Sequence, residues 1–202
     1  RNFALAQSKL NKMRISYLFI IALIIISCRS EQQKQQAAIA RIEKSLEKEL
    51  TADKAEGLLS LYEAYRVAHP EDDVQNAAYL YKEAELRSKL GQAEKAADIL
   101  LTGLKDYRET AQAQDLALLL ASLYEEKLEA YPPARTIYQI GVELFPENDT
   151  FKKKLSPNWK PFETRMQELR AQVFNESTGR VDVGTAQDFI LSAEVYAVLL
   201  PK

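Results

Sequence analysis

The feature that most constrains this chain is a set of small residues that recurs 38 positions later in the sequence. When the sequence is shifted by 38 residues, Ala96 falls on Ala134 and Gly103 falls on Gly141. Small side chains let two helices approach closely, and larger apolar residues fill the space beside each crossing. The recurrence therefore predicts consecutive helix pairs that are packed through equivalent positions.

The apolar residues outside this repetition are also spaced as in a helix. From Ala37 onward they recur at intervals of three and four, as in Ile39, Ile42, Leu46 and Leu50. Period-two alternation is absent except for the short candidate at 181–183, which is too brief to predict a strand. The pattern predicts an all-α chain with helices over residues 55–68, 74–90, 93–107, 113–130, 132–145 and 162–174.

The recurring positions fit a known repeat. Counted from Ala77, positions 8, 15, 20, 24 and 27 are occupied by Ala84, Gly91, Ala96, Leu100 and Gly103. Counted from Asp115, positions 8, 20, 24, 27 and 32 are occupied by Ser122, Ala134, Tyr138, Gly141 and Pro146. This pattern resembles the tetratricopeptide repeat (TPR), which implies antiparallel helix pairs stacked as a right-handed α-solenoid.

This chain departs from the TPR pattern at several points. The period is 38 instead of about 34 residues. Arg87 and Glu125 stand at position 11, where the family has a tyrosine, and Pro132-Pro133 replaces the glycine of the second turn. The resemblance is therefore to a degenerate repeat with an extended loop.

Two further segments of the sequence partly repeat the pattern. Gly57, Leu61 and Ala64 match positions 20, 24 and 27 of an earlier repeat. Residues 55–70 also resemble residues 186–201, which lie 131 positions later. We expect the chain to be a fragment that stops where a second block of repeats begins. The alternative is that residues 186–200 form the capping helix of a complete domain.

The N-terminal segment has the pattern of a bacterial export signal. A basic patch at 12–14 precedes an apolar run at 15–26, which is shorter than the ~20 residues of a spanning helix. The run ends in Ile25-Ile26-Ser27-Cys28, which resembles the lipobox of bacterial lipoproteins. The resemblance implies that Cys28 is acylated, and several acyl chains on one residue give stable membrane anchoring. The alternative is that Cys28 is a free or buried thiol.

These observations predict an order of segments along the chain. Met13 is the expected start, so residues 1–12 are upstream or artefactual sequence, 13–27 the signal peptide and 28–36 a polar tether. Residues 37–149 are the TPR-like block, 150–161 a linker, and 162–202 the truncated start of a second helical block. The segment around Lys152-Lys153-Lys154 and Trp159 is either a basic, aromatic contact site or a hinge.

Composition excludes most catalytic and metal chemistry. One cysteine and one histidine exclude a disulfide framework, zinc knuckles and sites with several histidine ligands. A phosphate-binding glycine loop and a GxSxG motif are also absent from the sequence. We therefore expect that the chain is not an enzyme and that it binds no cofactor and no metal. Residues 28–202 carry a net charge of −6, which argues against a nucleic-acid partner.

The TPR resemblance also implies a candidate binding groove. In that family the first helix of each pair lines the groove, and the corresponding residues here are Tyr81, Glu85, Lys89, Leu116, Leu119, Leu123 and Lys127. The three leucines would form an apolar strip that suits a partner helix or an extended peptide. The alternative is that a neighbouring helix of the same chain covers this strip.

The function expected from these patterns is that of a non-enzymatic scaffold. Lipid on Cys28 would anchor the chain in the outer membrane, because Arg29 after the cysteine resembles the outer-membrane default, and the expected side is the periplasmic face. Stacked helix pairs would bind a protein or peptide partner. The alternative is an accessory or targeting region of a larger envelope enzyme whose catalytic domain lies beyond Lys202.

Overall fold

The computed structural model describes residues 31–155, 162–175, 180–181 and 183–200. Contacts divide the chain into two compact units, of which one ends at His69 and the other begins at Pro70. These residues are almost entirely helical, and none of the described helices is long and apolar enough to cross a membrane. The helices of the first unit are α1 (31–48) and α2 (Ala52–Ala68).

The second unit contains seven described helices and one small strand pair. Its helices are α3 (Asp73–Lys89), α4 (Ala93–Tyr107), α5 (Ala113–Glu126), α6 (Tyr131–Leu144), α7 (Asp149–Lys154), α8 (Phe162–Val173) and α9 (Val183–Leu199). Between α8 and α9, β1 (Phe174–Asn175) pairs antiparallel with β2 (Arg180–Val181). The all-α prediction is confirmed for the described residues, apart from this two-residue pair.

In the first unit, α2 buries one face, which consists of Ala55, Leu58, Leu59, Tyr62 and Tyr65. The Tyr62 hydroxyl donates a 2.7 Å hydrogen bond to Glu43 on α1. The side-chain amides of Gln32 and Gln36 each donate to the Tyr65 hydroxyl over 2.9 Å. Residues 31–36, which we predicted as part of a polar tether, are therefore helical, because glutamines of that segment bond to a buried tyrosine.

In the second unit, consecutive helices pack as neighbours along the chain. α3 packs on α4, α4 on α5, and α5 on α6, while α3 also contacts α5. Short turns connect the pairs, so the helices of each pair run antiparallel. The predicted bounds are close to the observed ones, although α5 ends at Glu126 and not at residue 130.

The last helix does not belong to a separate block. α9 packs against α6 and α4, and α8 packs against α9. The predicted order of segments placed α8 and α9 in a second block, whereas these helices share one compact unit with α3–α6, and the division of the chain lies at His69 and Pro70. Val195 and Leu199 of α9 join the same buried apolar cluster as Leu120 and Ile137.

The recurring small residues lie where helices approach closely, as predicted. Ala96 is 0% exposed and Ala134 is 2% exposed. A Cβ atom on Gly103 would lie 2.5 Å from Leu80 Cδ2 of α3, and a Cβ on Gly141 would overlap the ring of Phe151. Both glycines are therefore crossing points, although they face different neighbours: Gly103 faces the preceding helix and Gly141 the following one.

The small residues of the earlier repeat, Gly57 and Ala64, are not packed in this way. Gly57 and Ala64 are exposed on α2, and a Cβ on Gly57 would meet nothing within 4 Å. The 131-residue shift does superimpose the bounds of α2 on those of α9. The buried faces differ, because Leu59 is buried while its equivalent Ile190 is exposed.

The segment predicted as a linker begins with helix. Asn148 caps α7, since its side chain accepts a hydrogen bond from the Thr150 backbone N–H over 3.1 Å. Phe151 of this helix is fully buried and stacks on Phe145 with ring centroids 5.5 Å apart. Burial of one aromatic side chain thus orders the lysine-rich start of this segment. Trp159 lies outside the described residues.

Two departures from the TPR pattern have a structural role. Arg87, which stands where the family has a tyrosine, contacts Glu83 at 2.9–3.0 Å and donates to Gln92 over 3.1 Å. It therefore ties the end of α3 to the start of α4. Glu129 stands 38 residues after Gly91, and both are left-handed, with φ of 53° and 76°. The second turn keeps the geometry of the first without its glycine.

Candidate functional site

The predicted groove residues of the second unit come from α3 and α5, and those two helices are in contact. Tyr81 and Glu85 are half-buried and Lys89 is exposed. Burial first, and then the charges of Glu85 and of Asp115 on α5, raise the pKa of Tyr81. The structure therefore places these α3 residues on a helix that packs beside α5.

The apolar strip predicted on α5 is largely core. Leu116 is 0% exposed and Leu123 is 2% exposed, so neither can touch a partner from outside the chain. Leu119 is half-buried and Lys127 is exposed. The alternative that neighbouring helices cover the strip therefore holds for Leu116 and Leu123. What is left at the surface is mainly polar: Tyr81, Glu85, Lys89, Leu119 and Lys127.

A polar cluster joins the end of α5, the middle of α6 and the end of α7. The Tyr138 hydroxyl and the Lys154 ammonium both donate to Glu125 Oε2, over 2.8 Å and 3.0 Å. The Lys154 ammonium also lies 5.8 Å from the centre of the Tyr138 ring. The hydrogen bonds from Lys154 and Tyr138 hold the pKa of Glu125 below its ordinary value, outweighing burial. In the sequence, Glu125 stood out only as a departure from the TPR pattern, and this cluster was not predicted.

This cluster predicts a pH dependence of stability. A carboxyl whose pKa is lowered by folding stabilises the fold above its unfolded value, 4.5, and loses that contribution as pH falls through the folded value. Glu125→Gln should therefore reduce the acid-induced loss of stability by about 0.5 kcal/mol, since the pair is partly exposed. Urea unfolding at neutral and acidic pH measures this, with the exposed Glu143→Gln as control. An equal acid dependence in the wild-type chain and Glu125→Gln would contradict the assignment.

Few of the described side chains are grouped as they would be in a catalytic or metal-binding site. The structure holds no group of three or more His, Cys, Asp or Glu residues that is suited to a metal ion, within the residues it describes. The sole histidine, His69, lies with Nε2 2.8 Å from Gln35 Oε1 and its ring against Tyr65. Both contacts are those of a structural side chain at the end of α2.

The lipidation residue predicted from the sequence, Cys28, lies outside the described residues. The candidate surface that the structure does describe is the α3/α5 face, formed by Tyr81, Glu85, Lys89, Leu119 and Lys127. No family model matches the chain, and neither a curated protein nor a solved structure matches it.

Proposed function

We propose that this protein is a lipid-anchored scaffold of the bacterial cell envelope that binds protein partners through its helix pairs. The observation that carries the proposal is the position of Cys28. It is the sole cysteine, and it directly follows a basic patch and an apolar run of export-signal length. A thiol at that position is what thioether attachment of a lipid requires. The anchor would hold the chain at the periplasmic face of the outer membrane.

The packing of the helix pairs supports the proposal that the chain binds protein partners. α3–α4 and α5–α6 pack in sequence order through buried small residues, which is the arrangement from which TPR-like right-handed α-solenoids are built. The α3/α5 face combines an aromatic side chain, a leucine and charges of both signs. Such a mixed surface suits a polar peptide or protein partner better than a purely apolar helix.

The lipid anchor is tested by metabolic labelling. Full-length protein expressed in a bacterial host with radiolabelled palmitate should incorporate label and partition with membranes, whereas Cys28→Ala should do neither. Ser27→Ala is the matched control, because it changes the neighbouring residue but keeps the thiol and a small side chain, and it should label normally. Equal labelling of the wild-type chain and Cys28→Ala would refute the anchor.

The same membranes test partner binding. After detergent solubilisation, affinity capture of the full-length chain should recover a specific protein. Recovery should fall when the α3/α5 face is changed by Leu119→Asp, and it should persist with the exposed control Glu143→Lys on α6. Recovery that does not depend on Leu119, or no specific recovery at all, would count against a scaffold that works through this face.

A further inference from the structure

A cavity of about 390 Å³ lies in the second unit where α4 begins, α5 ends and α9 begins. The apolar part of its wall includes Ala97, Leu128, Leu191 and the ring of Tyr124. This volume is within the range of ligand pockets, which start near about 300 Å³. We call it the acidic pocket, because of the residues at its rim.

Among the residues that the structure describes, four carboxylates line the acidic pocket, from Glu94, Asp98, Glu129 and Asp188, and no lysine, arginine or histidine does. Among the described residues, Glu94, Asp98 and Glu129 have no basic side chain within ion-pair distance. The carboxylates come from three different places in the chain, namely the first turns of α4, the α5–α6 turn and α9. Negative charge concentrated around a partly apolar pocket favours a cation.

A second observation comes from the wall of the pocket. Tyr124 is 2% exposed, yet its hydroxyl forms no hydrogen bond with any described residue. The hydroxyl oxygen itself is not fully buried, so it is accessible from the pocket that the side chain lines and can accept a hydrogen bond from a ligand there. Burial, and then the charges of Glu194 and Asp98, raise the pKa of Tyr124, which keeps the hydroxyl neutral.

The geometry selects an organic cation over a metal ion. The pocket carboxylates do not form a group that could hold a metal, within the part of the chain that the structure describes. They surround an apolar wall, so a ligand that uses all of these features must carry both a positive charge and an aliphatic stem. A primary alkylammonium group has this combination, with three N–H donors and no acceptor.

We propose that the acidic pocket binds a primary alkylammonium group, with its stem on the apolar wall and its nitrogen among Glu94, Asp98, Glu129 and the Tyr124 hydroxyl. The group could come from a free diamine or from a lysine side chain of a peptide, which present the same chemistry. This site lies apart from the α3/α5 face, and the inference does not depend on the scaffold function.

Binding is tested by NMR titration of the folded chain with three probes at low ionic strength. Cadaverine represents the free diamine, Nα-acetyl-lysine amide represents the peptide lysine, and pentanol has the stem without the charge. At least one of the two amines should bind with shifts confined to residues around the pocket, and pentanol should not. Which amine binds identifies the source. Binding by neither amine, or equal binding of pentanol, would overturn the proposal.

Matched variants locate the site. Asp98→Asn combined with Glu129→Gln removes two pocket charges and should weaken amine binding about tenfold. Asp106→Asn combined with Glu143→Gln removes the same two residue types from exposed positions outside the pocket and should leave affinity nearly unchanged. Tyr124→Phe, which keeps the ring, should weaken binding several-fold. Equal weakening by both double variants would show a general charge effect and overturn the site.

Discussion

Gly141→Leu is expected to lower the free energy of unfolding of the second unit by about 3 kcal/mol. The ring of Phe151 occupies the space that a Cβ at position 141 would need, and Phe151 is fully buried, so its ring has little room to move. Leucine forms helices better than glycine by roughly 1 kcal/mol, which offsets only part of the overpacking. Urea unfolding followed by circular dichroism measures the loss.

Two further variants show whether the loss comes from this contact. Glu143→Leu places the same side chain at an exposed position of the same helix and should change stability by less than about 0.5 kcal/mol. Phe151→Ala alone is destabilising, but Gly141→Leu added to it should cost much less than in the wild-type chain, because the ring is gone. If the two losses simply add, Gly141 and Phe151 are not in close contact.

The helices were predictable because local signals agreed with tertiary packing. Proline and acidic residues at 70–73 and the glycine at 91 mark the ends of α2 and α3, and the structure places the breaks there. Asp72 acts as the N-cap of α3, accepting from the Gln75 N–H over 3.3 Å. Periodicity and capping therefore identify where helices begin and end, without identifying which helix covers which face.

That limitation explains the outcome at the predicted groove. Leu116, Leu119 and Leu123 share a face of α5, and periodicity alone does not tell whether such a face meets solvent, a partner or another helix of the chain. The structure buries Leu116 and Leu123 and leaves Leu119 half-buried. The buried fraction depends on the packing of helices distant in sequence, which a single sequence does not encode locally.

Two helical segments were not predicted from the sequence, and both were missed for the same reason. The tether residues after position 30 and the start of the predicted linker are rich in polar residues, yet both are helical. Each is held by contacts with a neighbouring helix. Glutamines of α1 bond to Tyr65 of α2, and Phe151 of α7 packs against Gly141 of α6. The Asn148-Asp149 pair was the one local signal for α7, since both residue types favour a helix start.

The acidic pocket was not predictable for a similar reason. Glu94 and Asp98 are four residues apart on α4 and share a face, but exposed acidic pairs of this kind are common on helices. The pocket exists because the α5–α6 turn and α9 bring Glu129 and Asp188 to the same place. Glu129 holds a left-handed backbone where the preceding turn has glycine, and that geometry is visible only in the structure.

The most direct test of the packing proposed for the repeats is the free energy of unfolding of Ala96→Leu and Ala134→Leu, measured beside Ala197→Leu. Ala96 and Ala134 are equivalent positions that the structure buries, whereas Ala197 is an exposed alanine of α9. If the recurring small residues are crossing points of packed helices, each of the first two variants loses about 1–3 kcal/mol and the control changes by less than about 0.5 kcal/mol. If Ala96→Leu and Ala134→Leu are as stable as the control, the recurrence does not mark helix crossings and the repeat interpretation is wrong.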